Sequence, residues 1–153
     1  MSTIPFQAPG YHSVTPSLTV SNAAAALDFY QAAFGAVVVT RMDLPDGKVM
    51  HAEIQIGDSR IMLSDEFPDW QCLSPQSIGG TPCTLMVYVP AVDAAFAQAV
   101  AAGATVIQEP SDQFWGDRSV RLEDPFGHRW SLATHIEELT DTEIAERALK
   151  CLE

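Results

Sequence analysis

The chain has 153 residues, 47% of them hydrophobic, and 20 acidic against 8 basic side chains give it a formal charge of −12. That length suits one domain or two small halves, and the apolar content argues against disorder. An acidic field repels phosphate backbones and anionic lipid, so nucleic acid and membrane are excluded as partners, and no run approaches the roughly 20 apolar residues of a bilayer span. The tail Met1 to Gly10 lacks the basic and apolar regions of an export signal. The cysteines, Cys72, Cys83 and Cys151, are odd in number and lack metal-ligand spacing, so they read as reduced thiols of a cytoplasmic protein.

Taken in chain order, Ser13 to Val20 is the first strand candidate, ending at the N-cap pair Ser21-Asn22. A helix follows from Ala23 to Phe34, with Leu27, Tyr30 and Phe34 on one stripe and Gly35 as its stop. Ala36 to Met42 is β-branched, and Asp43-Leu-Pro-Asp-Gly47 is a turn. Lys48 to Ile56 then alternates, placing Met50, Ala52, Ile54 and Ile56 on one face and His51, Glu53 and Gln55 on the other. Gly57-Asp-Ser59 turns into a short strand, Arg60 to Ser64.

The order then repeats. Thr84 to Val89 is a strand, and Val92 to Ala102 is a helix with Val92, Ala95, Phe96, Ala99 and Val100 on its inner stripe and Gly103 as its stop. Ala104 to Gln108 is a strand, Glu109 to Asp112 a turn, and Phe114 to Leu122 and His128 to His135 a closing hairpin around Asp124-Pro-Phe-Gly127. Val20 and Val89 lie 69 apart, Gly35 and Gly103 lie 68 apart, and Leu63 and Leu132 lie 69 apart. Such agreement across both element types points to an internal duplication of a βαβββ unit. The boundaries are a tail at 1–10, units at 11–66 and 81–138, a linker at 67–80 and a helical end at 139–153. Thr140-Asp-Thr-Glu143 is a capping box that opens this last helix, which carries Ile144, Ala148 and Leu152 along one face. It is expected to pack on a sheet or on a partner.

Tandem βαβββ units with Asp28-Phe-Tyr-x-x-x-Phe34-Gly35 and a Glu123-Asp-Pro-Phe-Gly-His128 hairpin resemble the vicinal oxygen chelate superfamily, the group of glyoxalase I, bleomycin-resistance proteins and extradiol dioxygenases. His51 to Asp65, Gly116-Asp-Arg-Ser119 and Trp130 to His135 resemble its PhnB-like branch. The resemblance implies an α+β fold: an open, cup-like mixed sheet with helices on the convex face, a ligand in the concave one, and a homodimer. Metal-using members carry His or Glu at four inward positions, which match Thr15, Met62, Thr84 and Ser131 here. Hydroxyls and a thioether are not ordinary ligands for such ions, so no metal site and no cofactor is expected. An improvised set of His51, Glu53 and His135 stays open as an alternative.

In that register Ser17, His51, Glu53, Met62, Ser64, Tyr88, Arg121, Ser131 and His135 face the ligand, joined by Trp115 and Arg118. Tyr88 and Trp115, with Trp70 and Phe114 as further candidates, could stack on a flat molecule. Arg118 or Arg121 could clamp a carboxylate or phosphate, or pair with Glu123, Asp117 or Asp124. His51 is a candidate general base with Glu53 orienting it, and a hydrogen-bonded, chemically silent His51 is the alternative. The functional expectation is a metal-independent protein that binds a hydrophobic or aromatic small molecule. The rivals are a glyoxalase-like lyase or isomerase and a protein-interaction scaffold with a vestigial cup.

Overall fold

A computed structural model describes residues 3–153 and divides into two compact units, Met1–Gly80 and Thr81–Glu153. The first runs β1 (Ser17–Val20), α1 (Ala23–Phe34), β2 (Val37–Asp43), β3 (Val49–Ile56) and β4 (Ser59–Asp65). Its sheet has the order β1-β4-β3-β2, with β1 parallel to β4 and the other pairs antiparallel. A 3-10 turn, Pro68–Trp70, and the one-turn α2 (Pro75–Ile78) complete it. The second unit runs β5 (Thr84–Tyr88), α3 (Val92–Ala102), β6 (Thr105–Asp112), β7 (Asp117–Glu123) and β8 (Arg129–His135), in the equivalent order β5-β8-β7-β6, and ends in α4 (Asp141–Lys150). Each unit is therefore α+β with an open, mixed four-stranded sheet.

Alternation along each strand assigns its faces. Leu18, Val20, Ala52, Ile54, Ile61 and Leu63 are buried on the side that α1 covers with Ala26, Leu27, Tyr30 and Ala33. In the second unit Val120, Leu122, Trp130 and Leu132 form the matching layer under α3. The Asn22 side chain caps α1 at the Ala25 N–H, and Gly35 closes it at φ 64°, a left-handed conformation that glycine adopts without strain.

One capping device recurs in both units. The buried Asp65, at the end of β4, accepts the Ala23 N–H at 2.9 Å with Oδ1 and the Val49 N–H at 2.7 Å with Oδ2. In the second unit Thr134 Oγ1 accepts the Val92 N–H at 3.0 Å and donates to the Val89 carbonyl at 2.8 Å. Both residues and both helix starts lie 69 apart, so the last strand ties down the first turn of each helix. The α3 N-cap, Ala91, has no side chain able to do this itself.

Some expected boundaries move, each for a local reason. β1 begins at Ser17 because Pro16 has no N–H to extend the ladder; its carbonyl accepts the Met62 N–H at 2.9 Å. Met50 does not share the buried face of Ala52. Met42 pairs with His51 and Asp43 with Val49, which leaves Met50 as the extra residue of a bulge, 40% exposed, while Val49 is buried. The turn expected at Glu109–Asp112 is strand instead, because β6 is an edge strand and register shifts on either side of Gln108 accommodate Pro110. Phe114 and Trp115 fall in the turn before β7. On α3, Val92 and Ala99 are buried and Val100 is 39% exposed.

The capping box at Thr140 and Glu143 forms, but α4 buries none of its residues and makes no element-scale contact with a sheet. Arg147, reaching Glu137 at 2.9 Å, ties it to the preceding segment. Among the described residues no helix is long and apolar enough to cross a membrane.

Asp65→Ala leaves two buried N–H groups without partners and is expected to cost about 2–4 kcal/mol in urea denaturation, against about 1–2 kcal/mol for Thr134→Val.

Candidate functional site

The helix-free face of the second sheet holds the most connected group of side chains. Asp117, at the start of β7, is 4% exposed and accepts three ring donors. Tyr88 Oη donates to its Oδ2 at 2.9 Å, Trp115 Nε1 to the same oxygen at 3.1 Å, and His135 Nδ1 meets Oδ1 at 2.8 Å. The other imidazole nitrogen, Nε2, lies 3.2 Å from Glu138 Oε1. Burial pushes the Asp117 carboxyl up, but the bonds from His135, Tyr88 and Trp115 outweigh it and hold it below the ordinary carboxylate range. The same bond to Asp117 raises His135 and Tyr88 above their usual values. The result is an imidazole bridged between two carboxylates, with one indole and one phenol held beside it.

Gly116 makes this turn possible. It sits at φ +99°, and a Cβ there would meet the Glu137 carbonyl oxygen at 2.6 Å. Its own carbonyl accepts the Ile136 and Glu137 N–H groups, which brings the end of β8 beside Trp115 and Asp117.

The first unit carries a second cluster. His51 Nε2 lies 3.0 Å from Glu53 Oε1, and Glu53 Oε2 accepts the Tyr11 hydroxyl. Arg60 stands 3.8 Å from Glu53, donates to Gln55 at 3.0 Å and stacks 5.2 Å from the centre of the Tyr11 ring. The segment before β1 is therefore docked on this sheet by Tyr11, a role no sequence motif announces; the expected 1–10 tail includes two residues that lie outside the described ones. Register places Ser17, Met62 and Glu53 in one row across this face, and Ser64 beside Thr19 in the next.

Arg121 and Ser131 share a row on the second sheet, with Met86 beside them. Arg118 departs from its expected place at the ligand. It is one residue out of phase with Arg121, on the α3 side, and holds Asp93 at 2.9 Å and Asp112 at 3.0 Å. The carboxylates expected for either arginine are engaged elsewhere: Glu123 by Arg129 at 3.6 Å, Asp117 by the three rings, and Asp124 by the buried Trp130 indole at 2.9 Å. His128 donates its backbone N–H to Asp124 as well. Trp70 packs on Phe67 and is 63% exposed, outside both clusters.

The family model of the Glyoxalase/Bleomycin resistance protein/Dioxygenase superfamily matches residues 11–132. The chain belongs to this superfamily. A Mycobacterium bovis chain, Uncharacterized protein Mb0911c, is 44% identical over 135 residues, covering 86% of this chain and 89% of its own. Among solved structures, TioX from Micromonospora sp. ML1 has a TM-score of 0.65 at 27% identity, covering 82% of this chain and 99% of its own. The PhnB protein from Bacillus cereus shares the fold, with a TM-score of 0.62 at 18% identity and coverage of 80% and 99%.

The superfamily's metal-using members make the four matched positions a test. Met62 stands between Ser17 and Glu53 while its neighbours Ile61 and Leu63 are buried on the helix side, and Ser131 stands between Met86 and Arg121. Thr84 opens β5, and Thr15 precedes β1 by two residues. The thioether and three hydroxyls do not fit a divalent transition-metal ion. Among the described residues no group of three or more His, Cys, Asp and Glu side chains is arranged to hold one.

In an NMR titration the His135 ring is expected to show a midpoint above the ordinary value of about 6.5, and Asp117→Asn should lower it. Because the folded value is the raised one, the stability this pair adds is fully present below about pH 6.5 and is lost as pH climbs through the folded midpoint. A midpoint unmoved by Asp117→Asn would show that the contact does not hold the proton.

Proposed function

We propose that the chain is a metal-independent small-molecule-binding protein of the glyoxalase/bleomycin-resistance type, acting in the cytoplasm as a homodimer and holding a hydrophobic or aromatic ligand on its helix-free sheet faces. The observation that carries this reading is the buried Asp117, which immobilises Tyr88, Trp115 and His135 together. A ring already held by a hydrogen bond loses little rotamer freedom when a ligand stacks on it, so more of the contact energy appears as affinity. Tyr88 is 58% exposed, Trp115 37% and Met86 50%, so an indole and a phenol whose polar atoms are occupied offer apolar faces beside an adaptable thioether. The unsuited donors at Thr15, Met62, Thr84 and Ser131 support the metal-independent part.

The His51–Glu53 pair favours a second reading, a metal-free lyase or isomerase. Glu53 holds one imidazole nitrogen at 3.0 Å and is itself fixed by Tyr11, an arrangement that orients His51 Nδ1 as a proton acceptor. Such a base would take a proton from carbon or oxygen of a bound substrate and return it to another atom of the same molecule.

Titration with a panel of flat aromatic compounds should give saturable quenching of tryptophan fluorescence that Trp115→Phe abolishes. Tyr88→Ala should weaken binding about tenfold, the equivalent of roughly 1.4 kcal/mol of stacking. His51→Ala should leave affinity unchanged. A ligand turned over by the wild type and not by His51→Ala would replace the binding reading with the enzymatic one, and sedimentation showing only monomer would remove the dimer.

A further inference from the structure

Resting on that binding reading, we infer that the ligand of the second sheet carries a carboxylate and that Arg121 receives it. The chain has six arginines, and five of them reach a carboxylate: Arg41 at 2.8 Å, Arg60 at 3.8 Å, Arg118 at 2.9 Å, Arg129 at 3.6 Å and Arg147 at 2.9 Å. Of the six arginines Arg121 alone makes no ion pair among the described residues, in a protein of net charge −12. A guanidinium left without an anion among so many carboxylates is available for a planar, bidentate partner from outside.

Its surroundings have the shape such a partner needs. Arg121 and Met86 flank Ser131 in one row, and in the next row Tyr88 flanks Ala133 and Ser119. Ser131, small and half-buried, leaves room between Met86 and Arg121, whereas Ala133 and Ser119 are buried where the Tyr88 side chain crosses β8 to reach Asp117. Two strand spacings, about 10 Å, separate the Arg121 backbone from that of Met86, and Tyr88 lies one row further along. An aromatic ring lying over Ser131 between Met86 and Arg121, with its edge against Tyr88, brings a carboxylate substituent to the guanidinium, with the Ser131 hydroxyl as an additional donor. The first unit inverts the charge: the position that Arg121 occupies in the repeat is held there by Glu53, which is already engaged by His51 and Tyr11. The second face is thus the one matched to an organic anion.

The test compares 2-naphthoate, 2-naphthamide and 2-naphthylmethylammonium on the intact protein by calorimetry. Naphthoate is expected to bind about tenfold tighter than the amide, and the ammonium most weakly. Arg121→Gln should erase the preference for naphthoate, bringing its affinity down to about that of the amide, with the melting temperature unchanged, and Arg121→Lys should restore part of it. Should Arg121→Gln fail to fold, added salt on the wild type serves instead, weakening naphthoate and sparing the amide. Equal affinity for naphthoate and naphthamide, or a preference that survives Arg121→Gln, overturns the inference and leaves the binding reading standing. Failure of all three probes to bind overturns both.

Discussion

Everything about the site depends on the two-residue period of the pleat. A sheet that must give one face to a helix commits every second side chain to that contact, and the remaining half has nowhere to go but the opposite face. In the first unit Ile61 and Leu63 are 5% and 1% exposed, which fixes Met62 between them on the other side with Ser17 and Glu53. In the second, burial of Trp130 and Leu132 does the same for Ser131. A slip of one residue would bring Glu53 or Arg121 into the apolar layer under a helix, at a desolvation cost that no nearby partner offsets. Which positions reach the open faces is therefore set by packing on the closed ones.

Three buried carboxylates then convert that scaffold into fixed local geometry. Asp65 joins the start of a helix to the start of β3, Asp124 closes the last hairpin and holds the Trp130 indole, and Asp117 gathers three rings. Each is surrounded by donors, which is the condition under which a buried charge is tolerated. Removing any single donor from such a shell costs more than the bond itself, because the charge stays behind with less solvation. The helix-free face of the second sheet thus derives its order from the Asp117 carboxylate as well as from ring packing.

The elements that repeat 69 residues apart were readable in the sequence because periodicity and caps are local signals. Both long helices begin and end where Asn22, Gly35 and Gly103 indicate, and the alternation of β3 sorts Ala52 from Glu53 correctly. What escaped was non-local. Nothing in Val49-Met50 distinguishes a bulge from a regular strand, and only the pairing of β2 reveals it. Pro110 reads as a turn unless the strand is known to lie at an edge. Arg118 looked equivalent to Arg121 because both lie in one short basic stretch, yet three residues along a strand change the face, and the anion that claims Arg118 is on α3, 25 residues away. Tyr11 had no signal at all, since its partner Glu53 is 42 residues on.

The duplication preserves architecture while letting the chemistry of its two faces diverge. The tie between last strand and helix start survives as Asp65 in one copy and Thr134 in the other, since either side chain can accept the first helical N–H. A structural demand of that kind constrains the acceptor and not the charge. The open faces are under no such demand from folding, and there the copies differ most: Glu53 with His51 and Tyr11 in one, Arg121 and Ser131 in the other. Where a fold would tolerate almost any polar residue, a carboxylate tied into a network on one face and an arginine left without a partner on the other are placements that packing does not explain. The unpartnered charge is the feature on which the proposed carboxylate recognition rests.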